Sequence, residues 1–518
     1  MMSYTYNLAG GLVSQPYPSG RVVTNSFDEI GRFANVSSKA NSNATQRTYA
    51  NAFTYNAAGA VSSMRLGNGR FESTVFNSRL QPTQIALGTS ANNTSLLKLN
   101  YTYGVRDGQG NLDVTKNNGN VESQTITVPT VGTTQGFTAV QSYTYDALNR
   151  LLSAKEMDGT TQNWKQTFSY DKYGNRMFDT SNNNTTTLPE SFDPNIYNPT
   201  LNPANNRMAD NQGYEYDSAG NVTKDATNKR FVYDGENKQT SFGTNGSSTN
   251  GGSYYYDGDG KRVKKIVGTE TTIFVYNVSG QMVAEYTTTA PTNPTISYLT
   301  SDTLGSPRIN TDQSGQVSAR HDYMPFGEEI IGLGNRTSSN GYQDDDIRQK
   351  FTQYERDNET SLNFAQARYH NESQGRFTSP DPAMVSASVE NPQTWNRYVY
   401  VLNNPLKYSD PLGLWEIDET AQVETETTTK KGKTKTKVTG VTVLLKKQEG
   451  DDVKSLAKQL NISEKAAQKI LDKADSNGNI RLSQVGGNIG SVFKAIENRI
   501  KNHEQDKIDN PSKGDDQG

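Results

Sequence analysis

Short stretches of alternating apolar and polar residues recur along the first half of the chain. One runs SYTYDALNRLLSAKE, Ser142 to Glu156; others run FSYDKYGNRMFDT from Phe168, YEYDSAGNVTKD from Tyr214, FVYDGENKQTSF from Phe231 and YYYDGDGKRVKKI from Tyr254. Weaker copies begin at Asn25 (NSFDEIGRFANV), Phe53 (FTYNAAGAVSSM) and Ser73 (STVFNSRLQPTQI). Each opens on aromatic–x–aromatic, continues with Asp or Asn and a Gly- or Asn-bearing turn, and closes on an alternating tail. Residues two apart share one face of a strand, so Tyr143 and Tyr145, or Tyr254 and Tyr256, are expected side by side. Asp146 or Asp257 then starts a turn, because a short carboxylate bonds backbone N–H groups just ahead of it. Gly174, Gly220 and Gly260 supply the positive φ such a turn needs. The pattern predicts a long series of β-hairpins in which the Tyr–Asp pairs are structural. By itself it allows a shell, a solenoid or a propeller.

Composition fits that reading. The chain has 518 residues, room for about two to four ordinary domains or one large repetitive one. It carries 28 Tyr and 44 Gly with 32% hydrophobic residues, which suits strands with an aromatic face and a wet face. A net charge of −3 gives no electrostatic reason to expect nucleic acid. With no cysteine, disulfides, thiolate metal sites and cysteine nucleophiles drop out. No apolar run is long enough to span a bilayer. Met1 leads into YTYNLAGGLV without a basic or apolar leader, and it falls mid-pattern, as in a piece of a longer gene.

The YD-type units resemble the YD repeats of the Rhs family, which includes teneurins and the C components of bacterial Tc toxin complexes. Four further segments carry the resemblance in order. ISYLTSDTLGSPRINTDQSGQV, Ile296 to Val317, is similar to the family's H-x-D-x-L-G-S-P segment, with Thr300 in place of the histidine. HDYMPFGE contains the Y-x-P-F-G element. KFTQYERDNETSLNFAQARYHNESQGRFTSPDP, Lys350 to Pro382, matches the signature of the Rhs-associated core, and WNRYVYVLNNPLKYSDPLGLW, Trp395 to Trp415, completes it. Gln353 and Ser361 stand where glycine is usual, and His370 and Asn371 where tyrosine and aspartate are.

The resemblance implies a mainly β fold: hairpins wound into a partial hollow shell over 1–294, an Rhs-associated core over 295–414, a polar linker over 415–440 and a variable α/β module over 441–518. It also implies a core that cuts its own chain between Leu414 and Trp415, using Asp381, Asp410 and Arg368, with Pro411 and Gly413 supporting the motif. The chemistry is sensible without a cofactor or metal. Two carboxyls held close share a proton, so one serves as base toward water and the other as acid. Arg368 can hold a carboxylate in a two-pronged grip. The bland alternative is that Asp381 and Asp410 only start Asp-Pro turns while Arg368 pairs with a neighbour.

Other chemistries are set aside. Three histidines, His321, His370 and His503, do not make a multi-histidine metal site. KGKT at Lys431 lacks the first glycine of a phosphate loop, since position 427 is Thr427, and it lies in a Thr/Lys-rich linker or flexible hairpin. In the tail, strand, two helices and a returning strand over Asn477 to Gln484 resemble a LysM module, which binds peptidoglycan; an ordinary small α/β tail is the alternative. DSNGNI lacks the end ligands of a calcium loop, having Lys473 first and Gln484 last. Lys454, Glu464, Asp475 and His503 read as surface charges.

The expectation is an Rhs-type polymorphic toxin scaffold, bacterial and secreted or at the cell surface by a route the sequence does not show. It encloses its own C-terminal segment as cargo and releases it in a single turnover of aspartic autoproteolysis. Further N-terminal shell or a secretion-system component would be its partners. The alternative is a cell-surface structural or interaction protein whose tail binds wall glycan.

Overall fold

The protein, seen in a computed structural model, is described at residues 3–185, 187, 193–277, 281–289, 296–381, 396–411, 413, 416–430, 433–446, 468 and 480–481. The repeats form two antiparallel sheets in which nearly every strand pairs with its sequence neighbours. The first has 14 strands, from Thr5–Tyr6 to Arg176–Phe178, and sets aside a two-stranded ribbon, Val105–Arg106 with Leu112–Asp113. The second has 8 strands, from Glu215–Tyr216 to Met282–Thr287. Neither closes into a barrel, and the fold is the partial β-shell that the family resemblance implies.

Each YD turn is built the same way. The Asp146 carboxylate accepts from the N–H groups of Leu148 and Arg150, both at 2.9 Å, while Asn149 takes the left-handed conformation at φ 62°. Asp257 does the same for Asp259 and Lys261, with Gly260 at φ 71°. In several repeats the tyrosine preceding the Asp or Asn latches its repeat to the one before. Tyr145 donates to Val121 O at 2.8 Å, Tyr256 to Gln239 O at 2.7 Å and Tyr276 to Arg262 O at 3.0 Å. Its ring is also covered by the basic residue of an earlier turn: Arg150 lies 4.4 Å over Tyr170 and Arg32 4.3 Å over Tyr55. Strand pairing, hydroxyl latch and cation–π contact therefore couple successive repeats.

The stretch after Ile296 packs against the buried faces of both sheets. A three-stranded sheet, Tyr298–Ser301, Pro307–Thr311 and Val317–Arg320, is followed by a four-stranded one, Glu355–Asp357, Leu362–Ala365, Arg368–Asn371 and Arg376–Phe377. Ile309, Phe326, Phe351 and Tyr400 join Leu99, Ile126, Trp164 and Phe168 of the large sheet in one core. Leu362, Phe364 and Tyr369 join Phe231, Phe242 and Tyr254 of the smaller sheet in another. Ion pairs fasten each contact. Arg336 grips Glu156 at 2.6 and 2.7 Å. Arg262 reaches Glu355 at 2.7 Å and Lys265 reaches Asp357 at 2.9 Å.

Two of the positions where glycine is usual keep a glycine's backbone: Gln353 lies at φ 64° and Ser361 at φ 61°. Exposed Ser361 gives the cleaner test, because Gln353 also packs on Gly305. Ser361→Gly relieves the left-handed penalty and gives back part of it as chain entropy. It is expected to stabilise by about 0.5 kcal/mol, read as a higher urea midpoint.

The polar stretch expected as linker or hairpin forms two paired strands, Glu416–Lys430 and Lys433–Lys446, continuing from Tyr408–Ser409, and Ile480–Arg481 pairs back onto them. Apart from Gln468, which is helical, the tail helices, and with them the LysM-like reading, lie outside the described residues. Among the described residues no helix is long and apolar enough to cross a membrane.

Candidate active site

Arg368, Asp381, Asp410 and Gly413 meet in one buried cluster. Arg368 opens the third strand of the four-stranded sheet and is 4% exposed; Asp381 is 3% exposed and Asp410 0%. Arg368 Nη2 lies 3.1 Å from Asp410 Oδ2, Nη1 lies 3.6 Å from Asp381 Oδ2, and Nε donates to Gly413 O at 2.6 Å. One guanidinium thus touches both carboxylates and the chain just ahead of the expected cut. Its flat face rests on Phe377, 3.6 Å from the ring centroid. The fork is thereby fixed in plane by packing as well as by hydrogen bonds.

Local conformation brings the two aspartates in. Asp381 N donates to Arg397 O at 2.9 Å, and Arg397 returns a bond from Nη2 to Asp381 O. Ahead of Asp410, Val401, Leu402 and Asn403 all have positive φ, at 41°, 50° and 61°, which reverses the chain sharply. A β-branched residue such as Val401 is strained there. Tyr354 donates its hydroxyl to Asp410 O, and Gly413 N bonds the same oxygen at 3.1 Å. Gly413 is required: its φ is 65°, and a Cβ there would sit 2.6 Å from Ala365 O. Burial pushes the Tyr354 phenol well up, with nearby Tyr400 and Asp410 adding to it, so it stays a donor.

Pro411 lies at the exposed rim of the cluster. Leu414 and Trp415 lie outside the described residues. Tyr354, Phe377 and Arg397 were not singled out by sequence reasoning, although all three stand inside the quoted motifs. Their contacts depend on packing, which no spacing rule announces. Among the described residues no group of three or more histidine, aspartate or glutamate side chains is placed to hold a metal ion.

His370, standing where tyrosine is usual, is fully buried beside the cluster, 4.4 Å from the Tyr400 ring and 6.0 Å from Phe351. Neither ring nitrogen has a hydrogen-bond partner among the described residues. Burial, then the charges of Arg176, Arg356 and Arg368, push its pKa down to about 3. The unfolded chain therefore binds a proton that the folded chain refuses. Stability is fully present above about pH 6.5 and is lost as pH falls toward 3. His370→Phe is expected to flatten the acid limb of an unfolding free energy-against-pH curve by up to about 1.4 kcal/mol per pH unit. An unchanged slope would contradict the assignment.

No family model matches the chain. It is 28% identical over 297 residues to the tRNA nuclease WapA of Bacillus subtilis strain 168, covering 52% of this chain and 12% of that one. It is likewise 28% identical over 296 residues to the tRNA3(Ser)-specific nuclease WapA of Bacillus spizizenii, again 52% and 12%. The chain thus spans about an eighth of the length of these relatives. Among solved structures, the TcdB2-TccC3 crystal structure matches with a TM-score of 0.61 and 19% identity, over 80% of this chain and 22% of that one. A Photorhabdus luminescens Tc holotoxin pore matches with 0.53 and 18%, over 80% and 21%. These structural likenesses are of fold, and together with the repeats and the WapA matches they support an Rhs/YD-repeat protein with a β-shell fold.

Proposed function

We propose that the protein is the scaffold of an Rhs-type polymorphic toxin, whose shell encloses the segment after Leu414 and whose Arg368–Asp381–Asp410 cluster severs it. The observation that carries the reading is the Arg368 fork. A single cation lies within ion-pair distance of two carboxylates 29 residues apart and also donates to the carbonyl of Gly413, one residue before the expected cut. The mutual repulsion of two carboxylates held close favours a proton kept on one of them, while the guanidinium fixes where each sits. The ionised one takes a proton from water as the oxygen adds to the Leu414 carbonyl carbon. The protonated one gives its proton toward the departing nitrogen of Trp415, the C–N bond breaks, and a new carboxyl and a new amine remain.

The relatives support this reading: WapA proteins are named as tRNA nucleases, and a TcdB2-TccC3 match was solved without its hypervariable C-terminal region. Secretion or display at the cell surface follows from the same reading. The test is the mass of the purified chain under denaturing conditions. Two fragments, 1–414 and 415–518, are expected. One intact mass after prolonged incubation would return the protein to the alternative of a structural surface protein.

A further inference from the structure

His321 is buried where three segments meet: the strand Pro307–Thr311, the turn closed by the Tyr323–Glu329 bridge, and the stretch from Tyr342 to Lys350. Its Nδ1 lies 2.5 Å from Glu329 Oε1, and its Nε2 lies 3.2 Å from Asp345 Oδ2. A neutral imidazole has one N–H and one lone pair, so it can donate to only one of two carboxylates. The imidazolium donates to both. The geometry around His321 is therefore that of a charged ring.

Asp345 is the central clasp of its segment. At one end Gln343 Nε2 donates to Ser318 O at 2.7 Å. At the other, Arg356 N donates to Arg348 O at 2.7 Å and Lys350 N to Tyr354 O at 2.9 Å. Between those ends Asp344 and Asp346 are exposed, while the Asp345 carboxylate accepts from Ile347 N at 3.1 Å and Lys350 Nζ at 2.8 Å as well as facing His321. Asp344 to Arg348 also form part of the wall of a cavity of about 670 Å³, shared with Tyr197, Glu328 and Glu372.

The other charges around the ring are accounted for. Arg308 Nε donates to His321 O at 3.0 Å, but its guanidinium is paired with Asp322. Burial, then the nearby Glu329, pushes the Tyr323 phenol well up, so it stays neutral. Burial alone would lower His321, yet Asp345 and then Glu329 outweigh burial and Lys350 and raise it above its ordinary value. Burial alone would raise Asp345, but His321 and then Lys350 hold it well below the usual carboxylate range.

Asn310 supplies the alternative state. Its Nδ2 lies 2.5 Å from Asp345 Oδ2 and 3.2 Å from His321 Nε2. Once Nε2 has lost its proton it is an acceptor, which Asn310 is placed to serve, and its lone pair faces the Asp345 carboxylate. The His321–Asp345 contact then turns from attraction to repulsion, while Nδ1–H still serves Glu329.

We infer that His321 is a pH-operated clip: its imidazolium fastens the segment from Asp344 to Ile347 through Asp345, and loss of the Nε2 proton releases that segment and one wall of the cavity. The inference does not depend on self-cleavage. The clip is fully present below about pH 6.5, the ordinary histidine value, and is lost as pH rises through the raised value of His321.

The absence of cysteine allows a single nitroxide label on exposed Asp346, introduced as Asp346→Cys in the full chain. Its electron paramagnetic resonance spectrum is expected to show a mobile fraction below about 10% at about pH 6, rising to more than about half by about pH 9. Adding His321→Gln should leave the label mobile at both pH values. An unchanged spectrum between them in the labelled chain with His321 intact would overturn the inference, whether or not the Gln variant folds. The same transition in a folded His321→Gln chain would overturn it too. Imidazole ¹⁵N spectra, assigned with His503→Gln, give a second reading: protons on both His321 nitrogens at about pH 6 are expected, and a neutral ring there would refute the clip.

Discussion

A chain carrying Asp410→Asn is expected to remain a single polypeptide under conditions in which the unaltered chain separates into 1–414 and 415–518. Asparagine has nearly the shape of aspartate, and its Oδ1 can still accept from Arg368 Nη2, now at 3.1 Å from the carboxylate. What it cannot do is take up and return a proton. Loss of one acid–base partner slows such a step by about 10²–10⁴-fold. Asp381→Asn should do the same from the other side of the fork. Arg368→Met should also block cutting, by releasing Gly413 O and both carboxylates together. Mass under denaturing conditions over a time course is the readout, with circular dichroism to show that each variant folds. Cutting of a folded Asp410→Asn chain at the original rate would sink the carboxylate mechanism. The passive reading, in which Asp381 and Asp410 only start turns, predicts no cut in any chain.

Much of this arrangement was legible because its causes are local. The YD turn is specified within five residues: an aspartate, two N–H groups it can reach, and a Gly or Asn that tolerates positive φ, as at Asp146 and Asn149. The shell followed from resemblance, since hairpin periodicity alone did not separate it from a solenoid. Arg368, Asp381 and Asp410 were likewise nameable from motifs, while their meeting depends on the Val401–Asn403 reversal and on the Arg397 clamp on Asp381. The latch from a tyrosine such as Tyr145 or Tyr276 to the preceding repeat was invisible, because a hydroxyl's partner some 14 to 24 residues away leaves no period of its own. Arg336 and Glu156, 180 positions apart, had no reason to be paired on the page.

That pair supports the second large prediction. Arg336 and Glu156 are both 0% exposed. Glu156 also accepts from Gln141 at 2.9 Å and Asn163 at 2.9 Å, so its carboxylate is fully engaged. Arg336 Nε reaches Asp322 at 2.7 Å, which also takes Tyr342 OH at 2.8 Å and the Arg308 guanidinium. Burial alone would raise Asp322, but Arg336 and Arg308 outweigh it and hold its pKa down to about 2. Its stabilisation is therefore present above the ordinary carboxylate pKa and is lost as pH falls toward 2. Arg336→Met strands Glu156 in the core and should cost about 3–5 kcal/mol, read as a lower urea midpoint. The cost comes from the stranded charge more than from the lost bonds. Adding Glu156→Gln should therefore recover about 1–3 kcal/mol, with Asp322 still held by Arg308. Additive losses in the double variant would mean that the pair acts by packing alone. Recovery would identify a charged seam fastening the stretch after Ile296 to the large sheet, and the Arg368 cluster depends on that stretch staying seated.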